Sequence, residues 1–217
     1  MCMVKVVSLD VTGTLVDGRS VKHFWDSLIP AAYASRNNIS FEEASSYVKQ
    51  QYRMVSDEDL RWYLPEYWVE KLNIGKSCEE LLKELKLKVT VFPDVEPAIV
   101  RLSSDYSLIV SSNLPKGFLE IVLGDLRKYF SKIFSSVSTY SLPHKTAEFY
   151  TRVCWEMSVS PGEVLHIGDN TMYDYLVPRV IGMKSLLVRR YDSPRQSHEV
   201  SSLEQVLDRI SLGNIGC

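Results

Sequence analysis

The sequence predicts an α/β protein: a doubly wound parallel-sheet core interrupted by an inserted all-helical domain. Three observations predict it. Short β-branched runs alternate with amphipathic helical patterns. One stretch of roughly 70 residues carries helix signals and no strand. Three of the β-branched runs end on Asp, Ser or Asn, residues that favour turns and bring polar groups to strand ends.

The first run, Val4-Lys5-Val6-Val7-Ser8-Leu9, stops at Asp10 and a glycine-containing turn, and it reads as a buried parallel strand. Similar runs cover 107–112, 131–137, 164–167 and 185–188. Between them, Val95, Ala98, Ile99 and Leu102 recur at helical spacing behind an N-cap at Asp94. Leu203, Val206, Leu207 and Ile210 repeat that spacing. Strands alternating with helices imply an open sheet covered on both faces. From 18 to 91 the signals are helical, with capping boxes at Ser40-Phe41-Glu42-Glu43 and Ser77-Cys78-Glu79-Glu80. Residues 1–17 and 92–217 should therefore form the core, and 18–91 a helical domain over the strand ends.

At 217 residues the chain can bury a substantial core without disulfides or metals. The balance of 25 basic and 27 acidic residues leaves no basic stripe, so nucleic acid is not an expected partner. No apolar run approaches bilayer length, and the N-terminal run is too short for a signal peptide, so no membrane partner is expected. Cys2, Cys78, Cys154 and Cys217 are scattered without a CxxC pair, which reads as free thiols in a cytoplasmic protein. The sequence leaves the oligomeric state open.

In open parallel sheets, ligands bind beyond the carboxyl ends of the strands. Asp10, Ser112 with Asn113, and Asp169 each follow such an end. Asp10-Val11-Thr12-Gly13-Thr14-Leu15 resembles the first motif of the haloacid dehalogenase (HAD) superfamily, Ser112 its second and Lys145 its third-motif lysine. Gly168-Asp169-Asn170-Thr171-Met172-Tyr173-Asp174 is similar to its GDxxxxD fourth motif, and the four occur in the family's order. The helical stretch lies where one branch of the family carries a helical cap.

This resemblance implies a Mg2+-dependent hydrolase, a phosphatase with Asp10 as covalent nucleophile and a small phosphorylated metabolite as substrate. Asp10, the backbone carbonyl of Thr12, Asp169 and Asp174 would hold or orient the metal. Ser112 and Lys145 would serve catalysis, and Thr14, Ser112, Asn113 and Lys145 would bind the phosphate. The chemistry is sound on its own terms. A carboxylate can attack phosphorus to form an acyl phosphate, provided cations offset the repulsion between two anions.

Thr12 departs from the pattern, since phosphatases of the family usually place a second Asp there. A hydroxyl cannot titrate near neutral pH, and the missing acid-base help is commonly worth about 100- to 10,000-fold. P-type ATPases share threonine at this place and still form a phosphorylated aspartate, so slow dephosphorylation is the expectation. A second departure is Thr146, where proline often follows the lysine.

Rival readings are a 2-haloacid dehalogenase, a phosphonate hydrolase using Lys22, Lys49 or Lys71, and a catalytically weak or inactive HAD-fold binding protein. His144 and His166 have no motif role, and His166 reads as a satisfied core histidine. Asn113 and Lys116 are candidate substrate contacts. The cluster Arg61-Trp62-Tyr63-Leu64-Pro65-Glu66-Tyr67-Trp68 reads as helix packing rather than a pocket wall.

Overall fold

The computed structural model describes residues 3–192 and 196–213. Cys78 and Cys154 are free thiols, and Cys2 and Cys217 lie outside the described residues. Six strands form one sheet: β1 (Val6–Leu9), β2 (Ser107–Ser112), β3 (Lys132–Ser135), β4 (Val164–Gly168), β5 (Lys184–Val188) and β6 (Glu199–Val200). Their order is β3-β2-β1-β4-β5-β6, and every pairing is parallel. Leu9 stands level with Val110 of β2 and Ile167 of β4. That register brings Asp10, Ser112 and Asp169 to one edge.

Side chains alternate across a strand, and the sheet shows it. Val7, Leu9, Leu108, Val110, Leu165 and Ile167 enter one core cluster, while Val6, Ile109 and Val164 enter the other. Burying each such side chain fully stabilises by about 1.5–3 kcal/mol, which lets the core form without disulfides.

The inserted helices are α1 (Gly18–His23), α2 (Ile29–Asn37), α3 (Phe41–Arg53), α4 (Pro65–Leu72) and α5 (Cys78–Lys86). Both expected capping boxes form, at Ser40 with Glu43 and at Ser77 with Glu80. The two strands of chain joining cap to core are tied together: Val16 bridges Val91, Asp17 N donates to Thr90 O at 2.8 Å, and Phe92 N donates to Leu15 O at 3.1 Å. Cap residues Phe24, Val48, Trp68 and Leu81 share a cluster with core residues such as Phe118 and Leu119. The Phe24 and Phe118 rings meet edge to face at 4.7 Å.

The core helices are α6 (Val95–Asp105), α7 (Lys116–Leu123), α8 (Ser136–Tyr140), α9 (Ala147–Met157), α10 (Val177–Val180) and α11 (Leu203–Ser211). The apolar stripes of α6 and α11 cover one face of the sheet and that of α9 the other, which is the doubly wound arrangement. Two boundaries differ from the sequence reading. The run 131–137 stops at Ser135, whose Oγ accepts from Ser138 N and starts α8, so Ser136 and Val137 are helical. The edge strand β6 has two residues, too few to leave a periodic signal. Among the described residues, no helix is long and apolar enough to cross a membrane.

Candidate active site

The turn after β1 winds tightly: Leu15 N and Val16 N both donate to Val11 O, at 2.8 and 3.0 Å. Gly13 sits at φ 78°, and a Cβ there would lie 2.2 Å from Asp169 Oδ2. Only glycine lets the first-motif turn approach the Asp169 carboxylate so closely. Asp10 is 6% exposed, and its N–H donates to Ile167 O at 2.9 Å, which fixes the backbone of the nucleophile position against β4.

Lys145 is 3% exposed. Its Nζ lies 2.5 Å from Asp10 Oδ1 and 2.5 Å from Asp174 Oδ1, and it donates to Ser111 O at 3.2 Å. Taken by position alone, this residue reads as a solvated lysine opening a helix. Instead it precedes α9, and Thr146 is the N-cap, its hydroxyl accepting from Phe149 N at 3.4 Å. The threonine that departs from the family pattern thus starts the helix that positions the lysine.

Asp174 lies within a π-helical turn, Thr171–Leu176, a local form often found at functional sites. Its Oδ1 meets His166 Nε2 at 3.0 Å, and its Oδ2 accepts from Asn170 N at 2.9 Å. His166 also contacts Ser8 Oγ at 2.9 Å and Tyr150 Oη at 3.0 Å, and Ser8 donates to Ser111 Oγ at 2.8 Å. His166 is therefore a satisfied core histidine, and it braces the fourth-motif acid from below. The sequence carried no sign of that brace, because the partners come from three separate segments.

Burial shapes the charges here. It pushes the Asp10 carboxyl up to about 8 despite Lys145, with Asp174 and Asp169 adding to the rise. It pushes Asp169 up to about 6, again aided by Asp174. Burial opposes the Asp174 charge too, but Lys145 and His166 outweigh it and hold that carboxyl below the ordinary range. Burial also works against the Lys145 ammonium, yet Asp10 and Asp174 hold its pKa above the usual lysine value.

One carboxylate oxygen from each of Asp10, Asp169 and Asp174 lies within 4.8 Å of the others. Three hard oxygen donors suit magnesium, which needs few protein ligands and keeps waters. The donor set therefore fits Mg2+. Both Asp174 oxygens are already engaged, Oδ1 by Lys145 and His166 and Oδ2 by Asn170 N.

A cavity of about 490 Å³ opens over this edge, lined from the core by Asp10, Thr12, Ser112, Asn113, Lys145 and Asp169 among others. Ser112 Oγ accepts from Leu114 N at 3.2 Å, and Asn113 Oδ1 accepts from Ser136 Oγ at 3.1 Å. Thr12 Oγ1 is buried and unpartnered. Thr14 is fully buried and does not line the cavity, and its carbonyl accepts from Arg190. Lys116 does not line it either. From the cap, Trp25, Asp26, Tyr52, Trp62, Tyr63 and Trp68 close the other side. The aromatic cluster read as packing is therefore also pocket wall: Trp68 is wholly buried in the cap core, while Trp62 and Tyr63 are half-buried against the cavity.

His144 also acquires a place. It is buried between the domains, stacked on Tyr173 at 4.6 Å, with Nδ1 3.2 Å from Tyr63 Oη of the cap.

The model of the haloacid dehalogenase-like hydrolase family matches residues 4–182. The GMP/IMP nucleotidase YrfG of Escherichia coli is 38% identical over 71 residues, 33% of this chain and 32% of that protein. The match thus spans about a third of the length of that relative. Among solved structures, a HAD phosphatase from Thermococcus onnurineus superposes with a TM-score of 0.81 at 20% identity, covering 97% of this chain and 98% of that one. The magnesium-bound HAD hydrolase YfnB of Bacillus subtilis superposes at 0.68 and 16% identity, covering 96% and 99%. These likenesses establish the α/β fold with its inserted helical cap. The family match, running from β1 past the fourth motif, establishes more: the chain belongs to the haloacid dehalogenase-like hydrolases.

Proposed function

We propose that this hydrolase is a magnesium-dependent phosphatase that acts on a small phosphorylated metabolite through a phospho-aspartate at Asp10. The observation that carries the reading is the Lys145 ammonium, held at 2.5 Å from the Asp10 carboxylate with Asp169 beside it. A nucleophile that meets an anionic group needs such cations. Magnesium, when bound, supplies further positive charge against the same repulsion. A dehalogenase attacking neutral carbon needs no metal, whereas here three clustered acids share the single Lys145 cation.

An Asp10 oxygen attacks phosphorus, the P–O bond to the leaving alcohol breaks, and the alkoxide takes a proton from water. A second water then attacks the acyl phosphate, releasing phosphate and restoring the carboxylate. Ser112 and Asn113 line the cavity, and in this reading they donate hydrogen bonds to phosphoryl oxygens. Thr14 is proposed to act only through its backbone in the turn. Residues 18–91 form the cap that encloses the leaving group, with 1–17 and 92–217 as the core. The free Cys78 and Cys154 thiols go with a cytoplasmic location. The relative named as a GMP/IMP nucleotidase also acts on phosphomonoesters, which agrees with the class.

Hydrolysis of an aryl phosphate with and without magnesium, in wild type and Asp10→Asn, tests the reading. Magnesium-dependent phosphate release that vanishes in Asp10→Asn is expected, with a phosphorylated Asp10 trapped by rapid quench. Absence of release even in the first turnover would refute it, leaving the dehalogenase, phosphonate-hydrolase and binding-protein alternatives.

A further inference from the structure

Resting on the phosphatase reading, we infer that the cap selects a positively charged leaving group, so that the substrates are phosphomonoesters of amino or quaternary ammonium alcohols. Six cap residues line the cavity, and five of them are aromatic: Trp25, Tyr52, Trp62, Tyr63 and the wholly buried Trp68. The sixth is Asp26, the only charged group the cap contributes to the cavity wall. Among the described lining residues the one cation is Lys145, and it is committed to Asp10 and Asp174. A second phosphate or a carboxylate on the substrate would meet Asp26, offset only by its exposed partner Lys22.

Hydrogen-bonding capacity in the cap is also largely used up. Tyr52 Oη donates to Trp25 O at 3.3 Å, Trp68 Nε1 donates to Trp62 O at 3.1 Å, and Tyr63 Oη is engaged with His144. A polyhydroxylated sugar would lose its water shell and find few partners beyond Asp26 and the indole N–H groups of Trp25 and Trp62. Ring faces and a carboxylate remain, and both attract a cation.

The ring geometry favours a compact cation over a flat base. Each touching pair of lining rings in the cap meets edge to face: Trp25 with Tyr52 at 83°, Tyr52 with Trp62 at 73°, Tyr52 with Trp68 at 81°, and Trp62 with Trp68 at 86°. Walls set at right angles enclose a rounded group better than a planar one. Asp26 pairs with Lys22 one turn earlier, but that lysine is 71% exposed, and such a surface pair is weak competition. The chemistry also suits Thr12. An ammonium two carbons from the ester oxygen withdraws electrons, making the alkoxide a better leaving group where no general acid stands.

The test compares phosphocholine with its uncharged isostere, 3,3-dimethylbutyl phosphate, and with a purine nucleoside monophosphate. Wild-type kcat/KM is expected to favour phosphocholine over the isostere by about tenfold or more. Asp26→Asn and Trp62→Leu should each shrink that ratio towards one. A wild-type ratio near one, or preference for the isostere or the nucleotide, overturns the inference. Equilibrium binding of the same esters to Asp10→Asn with magnesium separates the two readings. Tighter binding of phosphocholine without any turnover in wild type would sink the phosphatase and keep the cation site. Turnover of an aryl phosphate with no binding preference would do the reverse.

Discussion

Lys145 Nζ stands 2.5 Å from Asp174 Oδ1 and an equal 2.5 Å from Asp10 Oδ1, so one buried ammonium joins the nucleophile position to the fourth-motif acid. The Lys145 ammonium and the Asp174 carboxylate carry one charge each, while burial raises the Asp10 carboxyl to about 8, and all three groups are nearly excluded from solvent. Their arrangement is a working site first and a source of stability second, since the desolvation of buried charges consumes much of what their attraction returns.

Replacing Lys145 by Met leaves the buried Asp10 carboxyl without its cation and Asp174 with only His166 and Asn170 N as partners. Breaking a buried pair by removing one partner typically costs about 3–5 kcal/mol. Urea unfolding at neutral pH should show a loss in that range, and magnesium should recover part of it by supplying positive charge. A loss under about 1 kcal/mol would mean the carboxylates are solvated or protonated instead.

Thr12 offers a gain-of-function experiment. Thr12 lines the cavity and its hydroxyl is buried without a partner, so Thr12→Asp places a carboxyl at the position where the family usually has one. Turnover of alkyl phosphates should rise by about 10- to 100-fold, within the usual range for general acid-base help. Aryl phosphates, whose leaving groups need no protonation, should gain much less. Steady-state kcat on a matched alkyl and aryl pair measures the difference, and equal gains would show that Thr12 is not at the acid-base position.

The sheet and its catalytic edge were legible because local signals coincide with global placement. Asp10 and Asp169 each follow a β-branched run, and parallel register then carries them together. Lys145 was legible only through its motif, since its burial depends on Thr146 starting α9 and on two acids from distant strands. The His166 network and the clamp on His144 were not legible at all. Each joins residues far apart in the chain, and a lone histidine in a strand or loop looks the same whatever it touches. Trp62 and Tyr63 were misjudged for a related reason: the helical spacing of aromatic residues cannot say whether a ring faces the cap's own core or a cavity over another domain.

Asp17 ties the entry to the cap and makes a pH-dependent contribution. Its carboxylate accepts from Arg19 N and Nε, and from Tyr191 Oη at 2.8 Å. Hydrogen bonds from Arg19, opposed by burial, hold its carboxyl down to about 2. The folded value lies below the unfolded one, so the stabilisation is present in full above about pH 4 and fades as the pH falls towards the folded value, with about half gone by pH 3. Because Arg19 is 82% exposed, solvent screening limits the effect to about 1 kcal/mol. Asp17→Asn keeps a residue able to cap α1, removes the charge and replaces one of the two accepting oxygens by an amide donor. Its melting temperature should fall below wild type at pH 6, with the gap narrowing steadily between pH 4 and 3. A gap that is constant with pH would assign the effect to packing.

Tyr63 Oη and His144 Nδ1 form a polar contact between cap and core beside Lys145, at 3.2 Å. Tyr63→Phe removes this hydrogen bond and leaves the ring. A hydrogen bond of this kind contributes about 1 kcal/mol, so the closed cap should lose about fivefold in population. The expected result is a KM raised by about three- to tenfold with kcat nearly unchanged, and His144→Ala should act in the same direction. A fall in kcat with KM unchanged would instead assign Tyr63 to the chemical step.

Gly13→Ala tests the metal site by geometry alone. The backbone there has φ 78°, a conformation that L residues rarely adopt, and the added Cβ would stand 2.2 Å from Asp169 Oδ2. Either the turn after β1 or the Asp169 carboxylate must shift, and Asp169 is one of the three acids whose oxygens now lie within 4.8 Å of one another. Left-handed strain and the clash together should cost about 1–3 kcal/mol of stability. Magnesium affinity, measured by calorimetry, should fall by at least about tenfold, because a displaced carboxylate no longer completes the oxygen set. The two effects are separable. If stability falls while magnesium affinity is retained, the turn has yielded and Asp169 has kept its place, and the tight approach of Gly13 would then serve the fold and not the metal.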